Sequence, residues 1–267
     1  MINVIAEIGW NFIGDMSLAK DMIHAAKKAG ANTVKFQYWD PANLKSGAWD
    51  EDGRREIYNK AKLSKERINI LISEADKVEL KPLFSVFSKE GAEFIRDLKC
   101  KAVKIPSHEA YNKDLINYCV DNFSEVFISL GALSEEELLS AVKLVEGKDN
   151  VNLMHCVSSY PCPNDIVNLP KLSWIKSQHA FCGLSDHSPS LISGAMAVAL
   201  GVTTIEKHFT TDKNLPGRDN KFALDEPEMT DYVSNIRAAE QMMLDHGLGI
   251  QSNEKDIVAN YRGRWSA

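Results

Sequence analysis

The stretch FCGLSDHSPSLISGAMAVALGVTTIEKHF, residues 181–209, decides the fold. Its ends, FCGLSD (181–186) and TTIEKHF (203–209), are short apolar or β-branched runs, and the segment between them is helix-like. A strand, a helix and a second strand in this order form a unit whose strands run parallel. Each run also stops at a histidine, His187 in the first case and His208 in the second. Consecutive strands of such a sheet are neighbours, so both imidazoles reach the same few ångströms of space at one edge.

The same alternation extends outward through the chain. Further candidate strands cover 3–9, 33–39, 81–88, 102–107, 125–131 and 151–160. Helical segments separate them. SLAKDMIHAAKKAG (17–30) has a Ser at its start and a Gly at its end, the start and stop signals of a helix. SEEELLSAVKLVEG (134–147) repeats the pattern, with Ser134 and Glu137 in capping-box spacing. LSKERINILISEADKV (63–78) and the longest segment, 226–246, complete the helical set. Eight strands, each followed by a helical connection, predict one (β/α)8 TIM barrel over residues 1–267, although an open doubly wound sheet uses the same alternation. The turn-rich DPANLKSGAWDEDG predicts a loop over one mouth.

A net charge of -6 argues against nucleic acid as a general partner, since phosphate backbones call for a positive field, but it allows a small anion in a local pocket. The five cysteines are scattered, odd in number and without a CxxC pair, which points to a reduced interior. MINVIAEIG enters a strand at once, and no apolar run approaches the roughly 18 residues that span a bilayer. A soluble cytoplasmic protein with no membrane partner is expected.

Barrel strands are covered on both faces, so charged residues within them are costly unless they serve a site. Here they cluster late in the strands: Glu7; Lys35 and Gln37; Lys104 and Ser107; Ser129; Ser158 and Tyr160; Ser185; Glu206 and His208. In a barrel these ends converge on one mouth. Two imidazoles with carboxylates near them suit a divalent metal, Mn²⁺ or Mg²⁺. The two lysines with serines describe an anion pocket. A buried lysine also suits a Schiff base, and the blandest alternative pairs Lys35 and Lys104 with Glu7 and Glu206 as internal salt bridges. His155 is less easily placed, and His24, His179 and His246 read as structural or surface residues.

The motifs IAEIGWN, AGANTVKFQ, VKIPSHE, HCVSSYPCP, GLSDH, IEKHFTTDKNLPGRDNKFAL and YRGRWSA together resemble the sialic acid synthase family. The likeness runs from the first strand through the eighth. It implies condensation of phosphoenolpyruvate with an aldose of the N-acetylmannosamine kind, giving a nine-carbon 2-keto-3-deoxy acid and phosphate. By resemblance, His187 and His208 hold a divalent metal. Lys35, Lys104, Ser107, Ser129 and Ser185 hold phosphoenolpyruvate, and Glu109 orients the attacking water. Glu7, Gln37, Tyr160 and Asp219 face the sugar with Ser158 beside them, and Glu206 supports the metal ligands. Glu7, Glu109 and Glu206 are the carboxylates expected to serve catalysis.

The sequence departs from the family pattern in places. N-H-N-G is Asn11, Phe12, Ile13, Gly14; S-T-P-F is Ser85, Val86, Phe87, Ser88; S-T-G-M is Ser129, Leu130, Gly131, Ala132; P-G-P-D-H is Pro216, Gly217, Arg218, Asp219, Asn220. Family members continue into a small antifreeze-like C-terminal domain that lends an arginine to the partner's sugar, and this sequence stops at YRGRWSA. The resemblance implies a homodimer; the chain reads either as a naturally short member with that domain on a separately encoded partner or as a truncated one, and Arg218, Arg262 or Arg264 are the local substitutes for its arginine. The competing readings are a Schiff-base pyruvate aldolase and an idle barrel that binds a sugar or a partner subunit.

Overall fold

In the computed structural model, which describes residues 1–265, eight parallel strands close into a barrel in chain order. They are β1 (Asn3–Gly9), β2 (Thr33–Tyr38), β3 (Lys81–Val86), β4 (Ala102–Ile105), β5 (Glu125–Ser129), β6 (Val151–Cys156), β7 (Cys182–Asp186) and β8 (Thr204–His208). Glu7 pairs in register with Lys35 on one side and with His208 on the other, so β1 closes the ring and the open-sheet alternative is set aside. Ser266 and Ala267, the end of the YRGRWSA stretch, lie outside the described residues.

Several strands stop earlier than the apolar runs suggest. β4 ends at Ile105 because Pro106 has no N–H for the ladder and residues 107–109 wind into a short 3₁₀ turn. β6 ends at Cys156, four residues short of 160, ahead of Pro161 and Pro163. The first helix spans Met16–Lys28, and its cap is Asp15 rather than Ser17: the Ser17 amide donates to Asp15 Oδ1 at 2.8 Å. The helix Glu135–Leu144 does carry the reciprocal capping box, with Ser134 N donating to Glu137 Oε2 at 2.8 Å. The turn-rich segment after β2 folds into two short 3₁₀ turns and a helix, Arg54–Ala61.

Strand side chains alternate between two environments. Val4, Ala6 and Ile8 of β1 face outward into the apolar shell under the helices, together with Val34, Phe36, Ile205 and Phe209. Ile5 faces inward and meets Leu83, Phe127 and Met154 in a separate apolar plug inside the barrel. Fully burying one such side chain contributes about 1.5–3 kcal/mol. Two residues further along β1, the next inward position is Glu7.

Candidate active site

The period of two carries inward-facing polar side chains to the C-terminal ends of seven strands, and the thiol of Cys156 to the end of β6. A cavity of about 310 Å³ opens there, lined by Glu7, Lys35, Gln37, Lys104, Ser107, Ser129, Tyr160, Ser185, Glu206, Asp219 and both His187 and His208. Two expected residues stand apart. Ser158 is exposed and does not line the cavity, although it is hydrogen-bonded to Ser107 Oγ at 2.8 Å. Glu109, on the 3₁₀ turn after β4, lines an adjoining chamber of about 870 Å³ with Trp39, Phe87 and His108. Half-buried with no cation as a cause, its carboxyl is pushed above the ordinary glutamate range by desolvation.

The floor is a buried quartet of charges. Lys35 Nζ lies 2.9 Å from Glu7 Oε2 and 3.6 Å from Glu206 Oε1, and donates to Ser85 Oγ at 2.8 Å. Lys104 Nζ lies 2.9 Å from Glu206 Oε2 and 3.3 Å from Met154 Sδ. Gln37 donates to Glu7 Oε1 at 2.8 Å and Ser185 to Glu206 Oε1 at 3.0 Å. The internal pairing weighed as the bland alternative is therefore present, and the same ammonium groups also line the cavity.

The carboxylates differ. Glu206 suffers the same desolvation as Glu7, but it touches both lysines and is held below its usual range. Glu7 is raised, by burial first and by neighbouring Glu206, only partly offset by Lys35. Burial opposes the charge of Lys35, but Glu206 and Glu7 outweigh it and raise Lys35. Burial and nearby Lys35 lower Lys104 against the pull of Glu206. Of the two carboxylates Glu206 is thus the more firmly ionised, and Glu7 is the one more ready to take a proton. Gly9 leaves room for this arrangement: at φ +56, a Cβ there would come 3.1 Å from Glu7 Oε1 and 3.2 Å from Gln37 Nε2.

The imidazoles face each other across one wall, their ring centroids 5.4 Å apart. His187 Nδ1 donates to the Val157 carbonyl at 2.9 Å and lies 3.7 Å from Cys156 Sγ. Burial opposes its charge, but Cys156 and the Val157 carbonyl outweigh that and raise it above the ordinary imidazole range, so Nε2 offers a lone pair in the neutral form. His208 is driven down to about 4 by burial, with help from His187 and Lys35, and is neutral at pH 7. Its Nδ1 is buried without a hydrogen-bond partner and lies 3.9 Å from Asp219 Oδ2. Ser129 Oγ is likewise buried and unpartnered on the cavity wall. Such atoms are uncommon in folded proteins, and at a cavity they call for a ligand. Two facing imidazoles, His208 neutral and His187 with its Nδ1 tied to a carbonyl, fit a divalent ion as a pair of ligands once His187 gives up any proton on Nε2. Among the described residues no group of three His, Cys, Asp or Glu side chains is arranged to hold an ion, so any further ligands would be substrate or water.

The rim is aromatic. The Tyr160 ring stands 4.2 Å from that of His187 and 6.1 Å from that of His208, and burial keeps its phenol protonated. Trp10 Nε1 donates to Asp219 Oδ2 at 3.0 Å. Arg218 lines the cavity with its guanidinium 6.0 Å from the Tyr160 ring centre. Arg262 and Arg264 are exposed on the C-terminal segment.

Sequence reasoning passed over Trp10, Arg54, Tyr58 and His108, all of which line the cavity. Arg54 and Tyr58 arrive on the helix after β2, and His108 follows Ser107 in a turn that carries no strand period. Two departures from the family pattern fall outside the cavity: Phe12 packs on Phe36 in the outer shell, and Val86 faces that shell as well. His155 also points outward, with Nε2 2.7 Å from the Val167 carbonyl. His24 pairs with Glu74, His179 bonds backbone atoms and His246 is exposed.

The NeuB family model matches residues 22–247. The pseudaminic acid synthase of Campylobacter jejuni is 33% identical over 92% of this chain and 76% of its own length. The N,N'-diacetyllegionaminic acid synthase of Legionella pneumophila is 32% identical over 97% of this chain and 78% of its own. A solved N-acetylneuraminic acid synthetase from Leptospira borgpetersenii, in complex with citrate, superposes with a TM-score of 0.87 at 28% identity, covering 99% of this chain and 92% of that one.

Proposed function

This chain belongs to the NeuB family, whose named relatives are sugar-acid synthases, and from that premise we propose that it condenses phosphoenolpyruvate with an aldose to a 2-keto-3-deoxy nonulosonic acid, releasing phosphate. The observation that carries this reading is the meeting of two facing imidazoles and two buried lysine side chains at one small cavity.

Phosphoenolpyruvate brings a phosphate and a carboxylate. Lys35 and Lys104 supply cations, and the hydroxyls of Ser107, Ser129 and Ser185 supply donors, Ser129 being free to give one without breaking an existing bond. The donor competes with Glu206 and Glu7 for the ammonium groups. Glu7 relieves that competition by taking a proton. Gln37, Tyr160 and Asp219 bind and orient the acceptor hydroxyls. A divalent ion held by His187 and His208, Mn²⁺ or Mg²⁺, supplies the Lewis acidity that polarises the aldehyde when bound.

Carbon 3 of phosphoenolpyruvate bonds to the aldehyde carbon, and water adds at carbon 2. The resulting tetrahedral centre expels phosphate. Glu109, in the adjoining chamber, orients that water, and desolvation, by raising its carboxyl, makes it a readier proton acceptor.

The test is phosphate release from phosphoenolpyruvate with Mn²⁺ over a panel of aldoses, with mass spectrometry of the product. A nine-carbon keto acid that EDTA abolishes is expected. Phosphate release that survives EDTA overturns the metal assignment. A borohydride-trapped pyruvate adduct on Lys104 or Lys35 moves the chain to Schiff-base chemistry. No turnover with any acceptor, alone or with a supplied C-terminal domain, leaves the idle barrel.

A further inference from the structure

Behind the imidazoles, on the outward faces of β7 and β8, lies a second set of buried polar groups that contributes nothing to the cavity lining. Asp186 and Lys207 are register partners, each one residue from an imidazole-bearing position. Lys207 Nζ lies 2.7 Å from Asp186 Oδ2 and donates to the carbonyls of Ser188 at 2.5 Å and Ser190 at 3.3 Å. Asp186 Oδ1 accepts from the amide and hydroxyl of Ser188 at 2.8 and 2.7 Å. Its Oδ2 accepts from Ser193 Oγ at 2.5 Å and Tyr232 Oη at 2.9 Å. Both charged side chains are only 2% exposed.

We propose that the Asp186–Lys207 pair is a positioning device for His187 and His208, fixing the relative place of the two imidazoles. The claim rests on the reading of those histidines as a ligand pair.

A buried ion pair is a poor way to add stability, since apolar residues of similar volume hold two strands together as well or better. What the pair adds is direction. Lys207 reaches across from β8 to two carbonyls of the loop that follows His187, and Asp186 binds the same loop from β7. The backbone on the C-terminal side of His187 is thereby tied to the residue immediately before His208. On its other side, the carbonyl of His187 accepts from the Cys162 amide at 2.8 Å. The ring is held by Val157. The Tyr232 hydroxyl brings the helix Glu226–Met242 into the same network. Asp186, Lys207 and their partners Ser188, Ser190, Ser193 and Tyr232 all lie outside the cavity lining, so the network acts through the histidines and touches no substrate.

The test uses Asp186→Asn/Lys207→Met, which removes both charges at nearly constant volume and leaves no buried ion unpaired. Val198→Ala, in the neighbouring helix Ser193–Ala199, serves as a control that lowers stability without touching the network. Mn²⁺ affinity, read by electron paramagnetic resonance on the protein without substrate, is expected to fall about 10–100-fold in the double variant and to stay at the wild-type value in the control. Imidazole ¹⁵N resonances are expected to show His187 held as the Nδ1–H tautomer in the wild type and as a mixture in the double variant. Mn²⁺ affinity within twofold of wild type together with an unchanged tautomer overturns the proposal. If the wild type binds no Mn²⁺, the metal reading fails, and the tautomer still decides whether the network positions the ring. Should the double variant not fold, Tyr232→Phe removes one donor from Asp186. A several-fold weaker Mn²⁺ affinity is then expected, and an unchanged affinity and tautomer overturn the proposal.

Discussion

Inside the barrel, two layers of side chains sit two residues apart on the same strands. The lower layer holds Ile5, Leu83, Phe127 and Met154; the next inward positions on those strands are Glu7, Ser85, Ser129 and Cys156. The backbone, the pleat and the neighbouring strands are shared. The lower layer is a plug that any apolar set of the right volume would make. With Lys35, Lys104 and Glu206 of the neighbouring strands, the upper layer holds four charged side chains almost out of water, and Ser129 Oγ there has no hydrogen-bond partner. Burying them opposes folding in a way that burying the lower layer does not. The difference separates what the fold needs from what the site needs, and substitutions on either side of the boundary are expected to fail in different ways.

The largest effect is expected in the upper layer. Lys104→Met leaves Glu206 with Lys35 at 3.6 Å as its remaining cation and removes an ammonium group from the cavity. Truncating one member of a buried charge pair costs about 2–5 kcal/mol, so kcat/KM for phosphoenolpyruvate is expected to drop about 10³-fold, with a loss of stability in a urea melt. A variant that keeps wild-type kcat/KM would erase the boundary between the layers. In the lower layer, Phe127→Ala is expected to cost about 3–5 kcal/mol of unfolding free energy while the folded fraction, assayed at low temperature, retains kcat/KM within a few-fold. Met154→Leu tests the seam, because Met154 Sδ touches Lys104 Nζ. It should cost below about 1.5 kcal/mol in a melt and change the KM for phosphoenolpyruvate about twofold.

The smallest effect lies at the rim, where Glu109 is half-buried without the cation that its deeper counterparts have. Its folded value is raised, so the folded state binds the proton more readily than the unfolded chain and the ionised form weighs against folding above that value. Glu109→Gln is therefore expected to raise the melting midpoint by about a degree at pH 8. The gain should fade as the pH falls through the raised Glu109 range, where the wild-type carboxyl is already neutral. Differential scanning calorimetry at pH 8 and pH 4 checks the sign, and an equal gain at both would show that the charge is not the cause.

The layers were not equally legible in the sequence. The outward-facing residues of β1 and β8 announce themselves through alternation, and the inward charges stand out because barrel strands should be apolar there. Lys35 with Gln37, and Glu206 with His208, could be placed on one face by counting alone. Counting fails where strands end. The cap of the first helix lay two residues ahead of Ser17 because Asp15 offers a better-placed acceptor. Arg54, Tyr58 and His108 come from a helix and a turn whose approach to the mouth is set by tertiary packing. The sequence also could not say whether the lysines were paired with carboxylates or free for a ligand, since both outcomes use the same residues and differ by a side-chain rotation.

Closure of β1 onto β8 has a consequence for how the site is acquired during folding. Glu7, Lys35 and Lys104 belong to the first four strands, His187 directly follows β7, and Glu206 and His208 belong to β8. The contact between Lys104 and Glu206 spans 102 positions of the chain. A half-barrel would therefore hold ammonium groups without the shared carboxylate, and imidazoles without the anion floor. The chemistry has no primitive version at an intermediate stage of assembly: it comes into being only when the ring shuts.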